Sequence, residues 1–249
     1  MSILVCGGYG DQGKIVNLRG GTVFNTKGEV YVKKNGLVSI RQPSVIANDS
    51  HYVKLDASSD PHDIFGNSIV SSGNDVVYTV DPDLKLVEHY AFGKAGYRHH
   101  VNDVVEYNGG LIYTLFSING LKACDFHEEN WRGAGGVLKS ASGRISPKDD
   151  EVLIRGLSGP HSPVMWGGKL YYCNSMLGEL CCDGEVVYKH DGVDQWTRGL
   201  LITEDSIYVG VTKSLTGTDG CVVVVLDHNY AVKEKIVVQL TRINSIVVE

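Results

Sequence analysis

Three histidines occupy comparable places in this sequence, each at the polar opening of an apolar, hairpin-like segment: His62 in PHD, His100 in HHVND and His161 in PHSP. Two more such openings carry Thr197-Arg198 and Ile243-Asn244. Imidazole changes protonation near neutrality and also ligates zinc, iron, copper or manganese. Three of them in one place would make either an acid–base site or a divalent metal centre with positions left for water or substrate. Such a metal would polarise a substrate oxygen or lower the pKa of a bound water. A guanidinium at the same level suits a carboxylate or another anion, because its planar fork binds two oxygens at once. The structural alternatives are histidines that tie neighbouring elements together through hydrogen bonds, and a buried ion pair of Arg198 with Asp63 or Asp103.

The elements that must position these residues are short strands. Thirty glycines and six prolines punctuate runs rich in Val, Ile and Tyr, and no stretch has the periodicity of a long amphipathic helix. From His62 onward the polar openings recur about every 40 residues, with one interval near 60, which is the period of four-stranded propeller blades. The chain therefore reads as an all-β protein, a β-propeller of five blades, with six if the first sixty residues hold more than the rest of a closing blade. The last strand, SIVVE, begins after Asn244, so the strand at Ile3 must pair with it and close the ring. Residues 1–249 form a single domain in this reading, with a polar, Gly-rich insertion at about 125–150.

In a propeller the innermost strands line a central channel, so residues at their starts converge although they are distant in sequence. On that geometry His62, His100 and His161 are the expected metal ligands and Arg198 the substrate anchor and catalytic group. Asn102 and Asp103 are expected to orient the reacting groups, and Asn244 to contact substrate. His100 is preferred to His99 because strand alternation separates the two and Asn102 shares the face of His100. Trp131 and Trp196 offer an aromatic platform for a sugar ring, although packing between blades is the commoner use of such residues.

Composition excludes several classes. The net charge of −6 and the absence of a dense Lys/Arg run argue against nucleic acid and against an anionic membrane surface as partners. The start, MSILVCGGYG, lacks a basic and apolar leader, and no apolar run reaches the length of a membrane span, so a soluble cytoplasmic protein is expected. The six cysteines form no CxxC pair and mostly sit in apolar strand patterns, as buried thiols do. GYGDQG at residues 8–13 matches a dinucleotide fingerprint, but the Gly-broken stretch after it cannot form the helix that holds a pyrophosphate.

The order of motifs resembles one family. ILVCGG, the HD at His62, the HVN at His100, TLFS at Thr114, WR with GG at Gly135, PHSP at Pro160, NSMLGEL at Asn174, RGL at Arg198 and VGVTKS at Val209 follow one another as in a mainly bacterial, uncharacterised group of propeller-like proteins carried as a domain of unknown function. Two departures are a shorter chain and Val164 where the family usually has a basic residue after PHSP. The resemblance implies the fold and no particular reaction. Taken together, the residues lead to the expectation of a metal-dependent enzyme acting on a small polar substrate, a sugar or a carboxylate, in the channel. The alternative is a non-catalytic module that binds a glycan or a protein.

Overall fold

The Val-, Ile- and Tyr-rich runs pair as antiparallel hairpins throughout the computed structural model, which describes all residues except 1, 10–11, 35, 42–43, 57, 92–96, 141–150, 193–194 and 214–219. Among the described residues six four-stranded sheets result. Their innermost strands are Glu29–Lys34, Pro61–Phe65, Val101–Tyr107, Pro160–Trp166, Gln195–Ile202 and Ile243–Val248, and these define blades 1 to 6 of a β-propeller.

The blade count corrects the expectation of five. Residues 29–54 make a complete blade from Glu29–Lys34, Leu37–Arg41, Val45–Ala47 and Tyr52–Lys54. This blade opens on Glu29-Val30-Tyr31 rather than on a histidine, so a count that starts at His62 passes over it.

Blade 6 joins the two ends of the chain. Ile243–Val248 is its inner strand, and Ile3–Tyr9, Gln12–Asn17 and Thr22–Thr26 follow outward. Leu4 lies opposite Val247 and Val5 opposite Ile246. Of the fingerprint-like residues 8–13, Gly8, Tyr9, Gln12 and Gly13 lie on the paired strands of this hairpin, with Gly8 opposite Gly13, 10–11 lie outside the described residues, and Gln12–Asn17 is a strand. Within 125–150, Gly135–Ser140 is the third strand of blade 3, a short helix covers Glu128–Trp131, and 141–150 lie outside the described residues. Among the described residues no helix is long and apolar enough to cross a membrane.

Alternation places one apolar face of each blade against its neighbour. Tyr171 and Leu180 of blade 4 pack on Leu200 and Val209 of blade 5, and Val223 of blade 5 packs with Val5, Ile243 and Ile246 of blade 6. At about 25 cal/mol per Å² of apolar surface removed from water, these interfaces supply the main favourable contribution to folding.

Every inner strand is also interrupted near its start. Register shifts fall between Val30 and Val32, Pro61 and Asp63, Val101 and Val104, His161 and Val164, Thr197 and Leu200, and opposite Cys6 and Gly7 at Asn244. A bulge turns a side chain out of the strand's alternation and frees a backbone group that still needs a partner. In blade 5 the bulge uses Gly199, whose φ of 81° favours glycine.

The preceding blade in the ring supplies those partners. Asp63 Oδ2 accepts from Val104 N at 3.0 Å, Asp103 Oδ2 from Ser162 N at 2.9 Å, and Ser162 Oγ from Gly199 N at 3.0 Å. Thr212 Oγ1 accepts from Ile243 N at 3.0 Å, Ser245 Oγ donates to the Tyr31 carbonyl at 2.8 Å, and Ser39 Oγ donates to the Pro61 carbonyl at 3.2 Å. These bonds run round the ring from blade to blade. Deleting residues 243–249 removes the inner strand of blade 6 and two of its ties. Calorimetry should then lose the single cooperative transition, whereas a truncated chain melting within a few degrees of the full one would contradict closure as a source of stability.

Candidate functional site

The starts of the inner strands meet at one end of the channel. The His62 ring lies 5.2 Å from that of His100 and 6.3 Å from that of His161, measured between centroids. Tyr31, contributed by blade 1, stacks on His62 at 4.0 Å. His161 and His62 are buried and His100 is half-buried. His99 points elsewhere: its backbone N–H donates to Asp75 Oδ2 at 2.7 Å and its Nδ1 lies 2.9 Å from the Ser117 carbonyl.

Two of the three imidazoles are held by the same device. His62 Nδ1 sits 2.8 Å from Ser72 Oγ and 3.2 Å from the Asp60 carbonyl, and His161 Nδ1 sits 2.8 Å from Ser175 Oγ and 3.0 Å from the Gly159 carbonyl. A carbonyl can only accept, so the proton belongs on Nδ1 and the lone pair on Nε2. His161 Nε2 is buried and has no partner among the described residues.

Arg198 lies beside them with its Cζ 5.1 Å above the Tyr31 ring. It is 7 % exposed, its Nε is unpaired, and it forms no ion pair among the described residues. Its neighbours differ. Arg41 pairs with Asp60 at 3.3 Å and Glu29 at 3.6 Å, and also donates to Tyr31 Oη at 3.2 Å, while Arg242 pairs with Glu29 at 3.2 Å. The carboxylates at this end are taken, and neither Asp63 nor Asp103 reaches Arg198.

Electrostatics follow from this arrangement. Burial pushes the His62 and His161 imidazoles well below the usual range, and the Arg198 guanidinium pushes in the same direction. For His100 burial again dominates, with Arg98 and Arg198 adding to it. All three rings are neutral at pH 7. The same positive field opposes a bound cation, and among the described residues no three His, Cys, Asp or Glu side chains are grouped to hold a metal ion. The expected ligands His62, His100 and His161 do come together, as rings packed beside the Arg198 guanidinium.

The remaining expected residues divide by place. Asn102 is fully buried and donates to the Pro160 carbonyl at 3.0 Å, and Asn244 donates to the Val30 carbonyl and to Glu29 Oε1, both at 2.9 Å, so each ties one blade to the next. Asp103 lies deeper along its strand and binds the Ser162 amide, away from the imidazoles. Trp131 and Trp196 stand at the histidine end, with Phe116 4.8 Å from the first and 6.3 Å from the second. Phe126 packs 5.6 Å from His100 and 5.2 Å from Trp131, so segment 121–134 brings two aromatic rings to the histidine end.

Tyr31, Phe116 and Phe126 were not anticipated from the sequence. Tyr31 belongs to the blade that opens without a histidine, and Phe126 to a stretch whose composition reads as loop.

Comparison with known proteins gives a family and a fold. Residues 100–241 match the model of a family described as a domain of unknown function (DUF4915). No curated protein is detectably similar in sequence. Among solved structures, a Bacteroides caccae protein of unknown function superposes with a TM-score of 0.67 at 14 % identity, covering 98 % of this chain and 97 % of that one. Virginiamycin B lyase from Staphylococcus aureus gives 0.57 at 12 % identity, covering 93 % and 78 %. Regucalcin from Agrobacterium tumefaciens, a calcium-binding protein, gives 0.53 at 13 % identity, covering 80 % and 68 %. At such identities the likeness concerns the fold alone.

Asp103 supplies a test of the channel's electrostatics. Burial first and Asp63 second push its carboxyl up to about 7. Between the unfolded value of about 4 and that value the native state holds a proton that the unfolded chain has lost, so Asp103 costs stability as pH rises through this window. Asp103→Asn keeps an acceptor for the Ser162 amide and removes the charge. It should raise stability at pH 8 by about 1 to 3 kcal/mol and change it little at pH 4, as read from Tm against pH. An equal effect at both pH values would contradict this assignment.

Proposed function

The chain belongs to that family of unknown function, and on this premise we propose that it is an enzyme of the propeller channel that binds a small anionic substrate on Arg198 and moves a proton with a neutral histidine. The substrate class is a carboxylate or an acidic sugar. The observation that carries this reading is the buried Arg198 guanidinium without a carboxylate partner. Leaving such a charge uncompensated in a protein interior costs about 3 to 5 kcal/mol, and an anionic ligand with two oxygens removes that cost.

The histidines fit the second part of the task. With Nδ1 fixed by Ser72 or Ser175 and a backbone carbonyl, Nε2 of His62 and of His161 is the free basic atom, and a positioned base needs its lone pair held in one direction. Burial, with Arg198 acting in the same direction, keeps these imidazoles neutral in the free protein. An anion on Arg198 cancels part of that field and makes the rings more basic, so substrate binding and base strength are coupled. Trp131 Nε1, buried and without a partner among the described residues, offers a further donor at this mouth. A divalent ion on His62, His100 and His161 is the competing reading, favoured by the way Nδ1 of two rings is held, as in metal-ligating imidazoles.

Three measurements test the proposal. Titration with small carboxylates should give binding that Arg198→Gln weakens at least about tenfold. Because the bound anion raises the histidine pKa, binding takes up protons and tightens as pH falls toward the range in which the bound rings titrate, and His161→Gln should flatten that slope. Elemental analysis of the wild type should find no stoichiometric metal. Near-stoichiometric metal that disappears in His100→Ala would overturn this reading in favour of the competing one.

A further inference from the structure

The other end of the channel is a different chamber. A cavity of about 590 Å³ opens there, within the size range of small-molecule sites, and all six inner strands line it. Its wall is apolar, formed by Phe65, Val105, Met165, Leu201 and Val247 among others. Its polar groups are few: the Ser162 and Ser245 side chains, and Lys34, Asp63 and Asp103 at the level of the blade-to-blade ties.

These charges do not balance within the cavity. Lys34 Nζ binds Asp63 Oδ1 at 2.6 Å, and the two oxygens of Asp63 also accept from Ile64 N and Val104 N at 2.8 and 3.0 Å, which satisfies that carboxylate. Asp103 is 7 % exposed, its Oδ2 is taken by the Ser162 amide, and its Oδ1 has no partner among the described residues. Two carboxylates thus face one ammonium across an otherwise apolar chamber. Arg198 favours ionisation of Asp103 from the histidine side but does not line the cavity.

We infer that this chamber is a second ligand site, which takes a small organic ammonium ion with an apolar body, the ammonium on Asp103 Oδ1 and the body against the wall around Phe65, Met165 and Leu201. A cation there replaces the proton that Asp103 otherwise retains, and a charge-assisted hydrogen bond in an apolar surround is stronger than one between neutral groups. An apolar body gains from leaving water, whereas a bare metal ion would find one free carboxylate oxygen and a hydrocarbon wall. The inference does not depend on the function proposed for Arg198.

The charged groups acting on Asp103 set the pH dependence. Asp63 opposes its ionisation and Arg198 and Lys34 favour it, with burial pushing its carboxyl up to about 7. An ammonium ligand should therefore bind more tightly above pH 7 than below, the opposite slope to that of an anion at Arg198.

Calorimetric titration with benzylamine and with benzyl alcohol separates the possibilities, since the two share an apolar body and differ in charge. At pH 8 benzylamine should bind at least about tenfold more tightly than the alcohol, and the difference should shrink at pH 6. Asp103→Asn should remove the preference for the amine, and Met165→Trp, which narrows the chamber away from the carboxylate, should weaken both ligands in a protein that retains Asp103. Equal binding of amine and alcohol, undiminished amine binding in Asp103→Asn, or no binding of benzylamine at millimolar concentration would each overturn the inference.

Discussion

The structure depends on the hydrogen bonds that leave each inner strand for the next. A ring of blades packed only through apolar faces would be free to slide, because apolar contact is not directional. The bulges remove that freedom. Each one exposes a backbone group in a buried place, and a side chain or carbonyl of a neighbouring blade satisfies it, as Asp63 does for Val104 and Asp103 for Ser162. The cost of an unsatisfied buried amide, about 1 to 3 kcal/mol, fixes the relative height of the blades. It also fixes the height of the side chains that the bulges turn into the channel, and so connects fold to site.

What those side chains make is a channel with ends of opposite character. Toward the starts of the inner strands stand neutral imidazoles, aromatic rings and a guanidinium without a carboxylate. Toward the other end stand two carboxylates, one ammonium and a hydrocarbon wall. The separation has a physical origin in the pairing pattern. Glu29 and Asp60 are taken up by Arg41 and Arg242, and Asp63 and Asp103, bound to backbone amides of the next blade, form no ion pair with Arg198. Burial makes neutral bases of the histidines, and a cation left over in this way acts on them in the same direction. Anion binding and proton transfer are then two aspects of one arrangement.

Much of this could be read in the sequence, and the rest could not for identifiable reasons. His62, His100, His161 and Arg198 were legible because a polar residue that opens an apolar strand has few reasons to be there other than the channel. Pairing of the chain ends was legible from a last strand without hairpin partners. Blade 1 was missed because it opens on Glu29-Val30-Tyr31, with no histidine to mark the start of its inner strand. The parts played by Asp63 and Asp103 depend on a bulge and on blade order, neither of which leaves a mark in composition. The expectation of a metal followed from residue types alone; the burial of the three imidazoles and the field of Arg198 acting on them depend on the packing and leave no mark in the sequence.

The most direct test of this account is a crystal structure of the protein grown with 4-bromobenzoate, in which the anomalous signal of bromine locates the ligand independently of its shape. The account predicts a bromine peak in the channel and a carboxylate within hydrogen-bonding distance of Arg198, with Nδ1 of His62 and His161 still held by Ser72 and Ser175. An Arg198 side chain turned onto Asp103 or another acid of the chain, with no bromine in the channel, would contradict it.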